Sequence, residues 1–268
     1  NNNVSVQGSN ESGHFRLSYT NMDQTGLFPN TELKRNSLSL STGYEMTSKL
    51  KLDANINYIK SKSDNLPNSG YGAASPMYAF IWFERNADIN WLKDYWVEGK
   101  EGVQQSYFHT WADNPYFVAY EHLNSLDKNR AYGNISLTYE FTNELKLMVR
   151  SGIDFSNEIR TSKRPYSTVG LPRGRYRAQD VYFNEENTDF LLSYHKEVSS
   201  DWQFGVSFGG NRMKQTSRNN VNDARELTIP GVYNMGNAAG IPVINEYNSV
   251  KEINSLYGIG EISFRKNF

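Results

Sequence analysis

The chain has 268 residues, a formal net charge of −1 and no cysteine. These values exclude disulfide bonds, cysteine-ligated zinc, a thiol nucleophile and the basic excess typical of nucleic-acid binding. The mean hydropathy of −0.68, with no apolar run of about 18 residues, excludes a helical membrane protein. A membrane β-barrel stays open, since only alternate residues of its strands must be apolar.

Alternation of apolar and polar residues predicts about nine strands along the chain. The clearest is 50–58, where Leu50, Leu52, Ala54, Ile56 and Tyr58 share one face. The opposite face carries Lys51, Asp53, Asn55 and Asn57. In chain order the predicted strands lie around 4–6, 15–20, 37–44, 50–58, 134–141, 145–155, 189–198, 202–208 and 262–264.

The connections between these strands alternate strictly in length. Successive connections of an antiparallel sheet lie at opposite ends, so all short turns fall at one end. This is the layout of an outer-membrane barrel, with short periplasmic turns and long extracellular loops. We therefore predict an all-β fold, an antiparallel transmembrane β-barrel segment. The predicted short turns are 9–13, 47–49, 142–144 and 199–201, and the predicted long loops are 23–33, 64–129, 163–186 and 219–253.

An alternative fold uses the same alternation. In a secreted, soluble, carbohydrate-binding β-sandwich, the apolar strand faces would pack into a core instead of facing lipid. Aromatic placement favours the barrel, because aromatic residues near the short turns match a membrane-interface girdle. Ordinary aromatic strand propensity would also explain them. These residues are Tyr44, Tyr139, Phe141, Trp202 and Phe204.

The longest predicted loop, 64–129, is rich in aromatic residues. Spacings of three and four between apolar residues predict one or two short helices there, the first beginning at Pro76 with Ser75 as its cap. The aromatic side chains would either form a small core of the loop or stack on a ligand or partner. For the second role we select Trp82, Trp96, Trp111 and Tyr116.

Catalytic and metal motifs are weak, so we predict no enzyme activity, no metal and no cofactor. Gly205–Gly209 matches G-x-S-x-G, but Ser207 lies inside a predicted strand and not at a sharp strand-to-helix turn. The four histidines, His14, His109, His122 and His195, are scattered. An acidic stretch over 180–189 lacks the spacing of a calcium loop. A basic stretch over 160–177 is interpreted as a surface loop that meets solvent, lipopolysaccharide or a partner.

Several segments resemble one family, the SusC/RagA family of TonB-dependent outer-membrane transporters of Bacteroidetes. The resemblance is most specific over 14–67 and looser, though continuous in layout, as far as Phe268. The ending Gly258–Phe264 also resembles a strand of that barrel. The segments that carry it are Phe15–Gly26, Pro29–Asn36, Gly43–Tyr44, Leu50–Tyr58 and Ser63–Pro67.

The resemblance implies a multi-pass barrel in a Gram-negative outer membrane, with about 22 strands and a plug in the lumen. It implies import of oligosaccharides or peptides, with a SusD-like surface lipoprotein as lid and the TonB complex acting on the plug. Lys51, Asp53, Asn55 and Asn57 would then face the lumen, and the barrel exterior would contact lipid and lipopolysaccharide. Residues 1–268 resemble no plug and begin and end unlike natural termini, so we expect an internal piece of a larger protein. That piece alone should transport nothing.

Overall fold

The computed structural model describes residues 1–68, 70–72, 74–84, 86–107 and 109–264. Within them, nine antiparallel strands form one sheet whose spatial order follows the chain. This confirms the predicted all-β barrel segment, which is not closed by these strands. The strands are β1 (Asn2–Asn10), β2 (Gly13–Thr25), β3 (Glu32–Thr47), β4 (Leu50–Ser63), β5 (Asn124–Glu140), β6 (Leu145–Thr168), β7 (Leu171–Glu197), β8 (Trp202–Ala224) and β9 (Val243–Phe264).

The register places apolar residues opposite one another, which gives the sheet an apolar face and a polar face. Leu52 pairs with Leu137, and Leu137 pairs with Val149 on the next strand. Side chains of the apolar face stay accessible: Ile56 is 44% exposed and Val206 is 62% exposed. All strands of the described chain belong to one sheet, so no second sheet covers this face. The β-sandwich alternative, which requires one, therefore does not fit.

The short turns lie at one edge of the sheet, as predicted. The five predicted girdle aromatics stand beside them. Tyr44 and Tyr139 pair with apolar-face residues of β4. Trp202 and Phe204 pair with Phe264 and Ile262. The ring centroids of Tyr139 and Phe141 lie 4.9 Å apart. The connections at this edge are residues 11–12, 48–49, 141–144 and 198–201.

All four predicted long loops are too long. The loops 23–33 and 64–129 shorten slightly, to 26–31 and 64–123, and the other two shorten greatly. Residues 163–186 form the distal part of the β6–β7 hairpin, which turns between Thr168 and Leu171. The connection predicted as 219–253 shrinks to 225–242, because β8 and β9 both extend into it. In these strand ends polar and apolar residues are mixed on both faces, so the period of two is lost. Each still pairs with a neighbour over its whole length, which supplies its backbone hydrogen bonds.

We define the distal module as residues 64–123, the β6–β7 tip at 164–175, and the connection 225–242. It contains α1 (Pro76–Ile81), a 3₁₀ turn (Ile89–Leu92) and α2 (Pro115–Glu121). The prediction of a helix starting at Pro76 is confirmed, although the Ser75 side chain makes no capping hydrogen bond. The sequence reading missed α2, where the Asn114 side chain accepts from the backbone N–H groups of Tyr116 and Phe117.

Phe117 of α2 is fully buried and packs against Trp96, Tyr95 and His122. The insertion therefore has a water-excluded core of its own. No helix in the described part of the chain is long and apolar enough to cross a lipid bilayer.

Candidate ligand-binding and partner surfaces

A cavity of about 630 Å³ opens on the polar face where the sheet meets the distal module. Strands β5, β6 and β7 form its floor, and the first residues of the 64–123 insertion form one wall. Its β6 residues, Glu158 to Arg164, lie about 10 to 30 Å along the strand from the end of the apolar stretch Leu145–Phe155, given roughly 3.3 Å per residue. Its lining combines four arginines and one glutamate with neutral polar and apolar groups: Leu66, Pro67, Asn68, Asn124, Ser125, Leu126, Glu158, Arg160, Thr161, Ser162, Arg164, Arg175, Arg177 and Gln179.

The pairing register of the β6–β7 hairpin brings the arginines together at the cavity. Arg164 stands directly opposite Arg175, and Ser162 stands opposite Arg177. Alternate residues of a strand share a face, so Arg160 and Arg164 lie on the same side of β6. The sequence predicts a basic surface loop over 160–177, and this prediction does not show that the arginines meet at one cavity.

Two of the four arginines are neutralised by carboxylates. Arg175 donates two hydrogen bonds to Asp223, at 2.7 and 2.6 Å, and Arg160 pairs with Glu158. The Arg164 guanidinium donates instead to neutral acceptors, the Asn124 side chain at 3.0 Å and the Lys163 carbonyl at 2.7 Å. Burial and the positive charge of Arg175 lower the pKa of Arg164 to about 10, against the opposing effect of Asp113.

Behind the cavity, buried polar groups attach the 64–123 insertion to the hairpin tip. Gln105 donates to Asp113 and to the Ser167 carbonyl, each at 2.6 Å, and the Val169 N–H donates to Asp113 at 2.8 Å. Ser167 has φ of 68°, a left-handed conformation that few non-glycine residues adopt. The Gln105 hydrogen bond to its carbonyl helps to hold that conformation.

His122 joins the same buried network, but its geometry does not suit catalysis. Its Nε2 lies 3.2 Å from the Thr168 hydroxyl, which itself donates to the Pro165 carbonyl at 2.9 Å. The histidine must therefore donate from Nε2, whereas a base that activates a hydroxyl must accept from it. Nδ1 of His122 is buried without a partner among the described residues. Burial and Arg164 hold the pKa of His122 well below its ordinary range, so the ring is neutral.

The four predicted aromatic residues separate into two clusters. Trp82 and Trp111 contact each other, with ring centroids 5.4 Å apart, and Tyr78 contacts Trp111 at 5.4 Å. Trp82 is 52% exposed. Trp96 and Tyr116 lie elsewhere: Trp96 packs on Phe117 at 5.2 Å, and Tyr116 stacks with Tyr120. The structure thus brings together Trp82 and Trp111 but assigns Trp96 to the core of the insertion.

The four side chains predicted to face a lumen lie on the polar face. Lys51 pairs in register with Thr138, Asp53 with Ser136, and Asn55 with Asn134. Asn57 stands opposite Tyr132. Their row is continuous with the arginine-lined cavity, because both belong to the polar face of the same sheet.

The G-x-S-x-G string and the acidic stretch 180–189 both lie within strands. Ser207 lies within β8 and its hydroxyl donates to Ser193 at 3.0 Å, which confirms that the G-x-S-x-G string forms no nucleophile turn. The prediction that the acidic stretch 180–189 lies in a loop is wrong. The stretch belongs to β7, where alternation places Asp180 and Glu186 on one face and Glu185 and Asp189 on the other.

The sequence matches no protein-family model and no curated protein. Solved structures share its fold. The RagAB peptide transporter matches with a TM-score of 0.75 and 14% identity over 98% of this chain and 30% of that one. The ferric citrate transporter FecA matches with a TM-score of 0.59 and 9% identity, over 98% and 32%.

BauA, the ferric preacinetobactin receptor from Acinetobacter baumannii, matches with a TM-score of 0.56 and 10% identity, over 98% of this chain and 36% of that one. The chain thus spans about a third of the length of the structures that it resembles. At these identities the likeness establishes the fold alone. The chain has the fold of a nine-stranded portion of the barrels of these transporters and receptors.

Proposed function

We propose that the chain is part of an outer-membrane, TonB-dependent importer of the SusC/RagA type, which takes up large nutrients such as oligosaccharides or peptides. One observation carries the proposal: a single sheet whose exposed apolar face begins at the short turns and whose distal end is a polar, folded module. The likeness to the RagAB peptide transporter over 98% of the chain supports the same conclusion.

The two faces of the sheet fit lipid on one side and water on the other. On β6 the apolar-face stretch Leu145–Phe155 covers 11 residues, which matches the 9–11 residues of a tilted membrane-spanning strand. Farther along the same face, Asn157 and Thr161 are polar. We infer that the apolar band contacts outer-membrane lipid and that its distal border meets lipopolysaccharide.

In this proposal the polar face lines a wet lumen, with Lys51, Asp53, Asn55 and Asn57 among the lumen-facing residues. Import proceeds by passage through that lumen and involves no covalent chemistry. The sheet edges β1 and β9 pair with further strands of a closed barrel, because an unpaired edge in lipid would leave backbone groups unsatisfied. The TonB complex acts on a plug domain outside residues 1–268. With a net charge of −1, the chain offers no basis for nucleic-acid binding.

The exposed aromatic cluster of the distal module is the proposed contact for a SusD-like surface lipoprotein. Trp82, Trp111 and Tyr78 form it, and Tyr71 packs on Tyr78 at 4.6 Å. Large aromatic side chains at the centre of an interface contribute most of its binding energy. Trp82→Ala should weaken co-purification of the full-length protein with the lipoprotein, whereas Trp91→Ala, which removes a 73% exposed Trp outside this cluster, should not.

Paired cysteines test the membrane assignment, since neighbouring residues of one strand should meet different environments. In the full-length protein in outer membranes, Asn55→Cys should react with a charged, water-soluble maleimide, and Ile56→Cys should react only with an apolar one. The unsubstituted protein gives the background labelling. Equal reaction of both cysteines with the charged reagent would contradict the barrel proposal.

A further inference from the structure

The arginine cavity carries more positive charge than its fold requires. Arg164 and Arg175 are direct cross-strand partners, and like charges in that position destabilise a sheet. Asp223 neutralises Arg175, and Glu158 neutralises Arg160. Among the described residues, no carboxylate oxygen lies within 4.0 Å of a side-chain nitrogen of Arg164 or Arg177. Both guanidinium groups can therefore pair with an anion from outside the chain, Arg164 through the N–H groups that do not donate to Asn124 and Lys163.

The shape and chemistry of the cavity limit what that anion can be. Its volume of about 630 Å³ is in the range of pockets that hold an organic ligand and not merely a small ion. A guanidinium group donates two parallel hydrogen bonds to a carboxylate. Around the arginines, Ser162, Asn124 and Gln179 are neutral polar side chains that each already hydrogen-bond within the protein. Leu66 and Leu126 offer apolar contact.

The lining also distinguishes between a peptide and a sugar. Among the described residues that line the cavity, none is Trp, Tyr or Phe. Sugar rings are commonly bound by stacking their C–H faces on aromatic side chains, whose large flat faces provide apolar contact. Alternating amide, hydroxyl and small apolar groups suit a peptide chain instead.

We propose that this cavity binds a carboxylate of an acidic oligopeptide, with the guanidinium groups of Arg164 and Arg177 donating to its oxygens. The inference rests on the proposed import function and names the substrate class of that importer. Arg175 and Arg160 would stay paired to Asp223 and Glu158. The peptide would approach along the polar face, as a substrate entering the lumen must.

Binding to the purified full-length protein tests this assignment without any transport measurement. The probes are N-acetylated triglutamate and neutral, N-acetylated and C-terminally amidated triglutamine, compared by isothermal titration calorimetry. Triglutamate should bind measurably more tightly than triglutamine amide. Arg177→Gln should weaken triglutamate binding by about 10- to 100-fold, the effect expected for losing hydrogen bonds to a charged group. Arg177→Lys keeps the charge but loses the planar guanidinium group. Its affinity for triglutamate should therefore fall between those of the unsubstituted protein and Arg177→Gln.

Arg16→Gln is the matched control, because Arg16 lies on the polar face of β2 near the short turns. It should leave triglutamate affinity within about two-fold. Equal affinity for both peptides, an unchanged affinity in Arg177→Gln, or an equal loss in Arg16→Gln would overturn the proposal. Tighter binding of trigalacturonate than of triglutamate would overturn the peptide assignment. The paired-cysteine result would stand in every case, so the two proposals fail separately.

Discussion

The sheet near the short turns and the distal module are built on different principles. In the sheet, apolar side chains such as Ile56 and Val206 are half-exposed or more, and backbone ladders join every neighbouring pair of strands. In the distal module, Phe117 and Leu227 are fully buried, as in a soluble domain. One chain thus contains a sheet with an exposed apolar face, which we call the wall and propose to contact lipid, and a module that forms its own apolar interior.

The contrast shows where each region obtains its stability. The wall depends on strand pairing and on the medium that contacts its apolar face. The module depends on packing and on a small number of buried hydrogen bonds between distant segments. A substitution should therefore have large effects in one region that it would not have in the other.

The largest expected effect is in the core of the module. Phe117→Ala should cost about 3–5 kcal/mol of local stability, because it leaves a cavity among packed aromatic rings. Amide hydrogen exchange of the full-length protein should show faster exchange across α2 and unchanged protection in β3 and β4. Loss of protection in both regions together would contradict the separation of module and wall.

The converse test introduces a charge on the apolar face of the wall. Ile56→Arg should destabilise the barrel by about 2–4 kcal/mol, the cost of an arginine facing the bilayer midplane. Asn55→Arg on the neighbouring polar-face position should cost much less, because its side chain stays in water. The midpoints of urea unfolding in phospholipid vesicles compare the two variants, and equal midpoints would argue against a lipid-facing surface.

Asn65 tests the junction between the two regions. Its buried side chain donates to the carbonyls of Asn30 and Ala119, at 2.9 and 3.3 Å, and accepts from the N–H of Asn124 at 3.1 Å. Asn65→Ala removes one side chain and leaves partners unsatisfied, at a cost of about 1–3 kcal/mol. The module should become more sensitive to limited proteolysis, and Asn68→Ala, a half-buried neighbour, should change it less.

The wall was predictable from sequence and the module largely was not, for a physical reason. Burial or lipid on one side enforces period-two alternation, so strands such as 50–58 can be read directly. The distal parts of β6 and β7 carry arginines and other polar residues at successive positions and lose that pattern. A local signal did exist, because Gly170 lies within the segment 163–186. In the structure Gly170 has φ of 77°, and the turn there places Arg164 opposite Arg175.

The α2 helix and the buried network depend on contacts between distant segments, which residue spacing alone does not show. The helix begins with Asn114 and Pro115, a good N-terminal signal, yet it covers only seven residues. Gln105, Asp113 and Thr168 are ordinary polar residues in sequence. Only the folded chain shows that all three are buried together.

The smallest predicted effect is a pH dependence confined to the module. His122 is buried and neutral, with its folded pKa well below the ordinary value, whereas the unfolded segment titrates near about 6.5. The stability that this group contributes is therefore fully present above about pH 6.5 and is lost as the pH falls toward the folded pKa. The expected loss is about 1.4 kcal/mol per pH unit.

Asp113 acts in the opposite direction, because burial raises its folded pKa against the hydrogen bonds from Val169 and Gln105. As the pH falls through that folded pKa, the folded carboxyl gains its proton before the unfolded one and the module is relatively stabilised.

The free energies of opening of the α2 amides, measured by hydrogen exchange, should decrease from pH 7.5 to pH 5.5 in the unsubstituted protein. His122→Gln should abolish the decrease, and Asp113→Asn should enlarge or preserve it. A decrease of equal size in His122→Gln would assign the pH response to another group, and an equal response of the β3 and β4 amides would show that the module does not open independently of the wall.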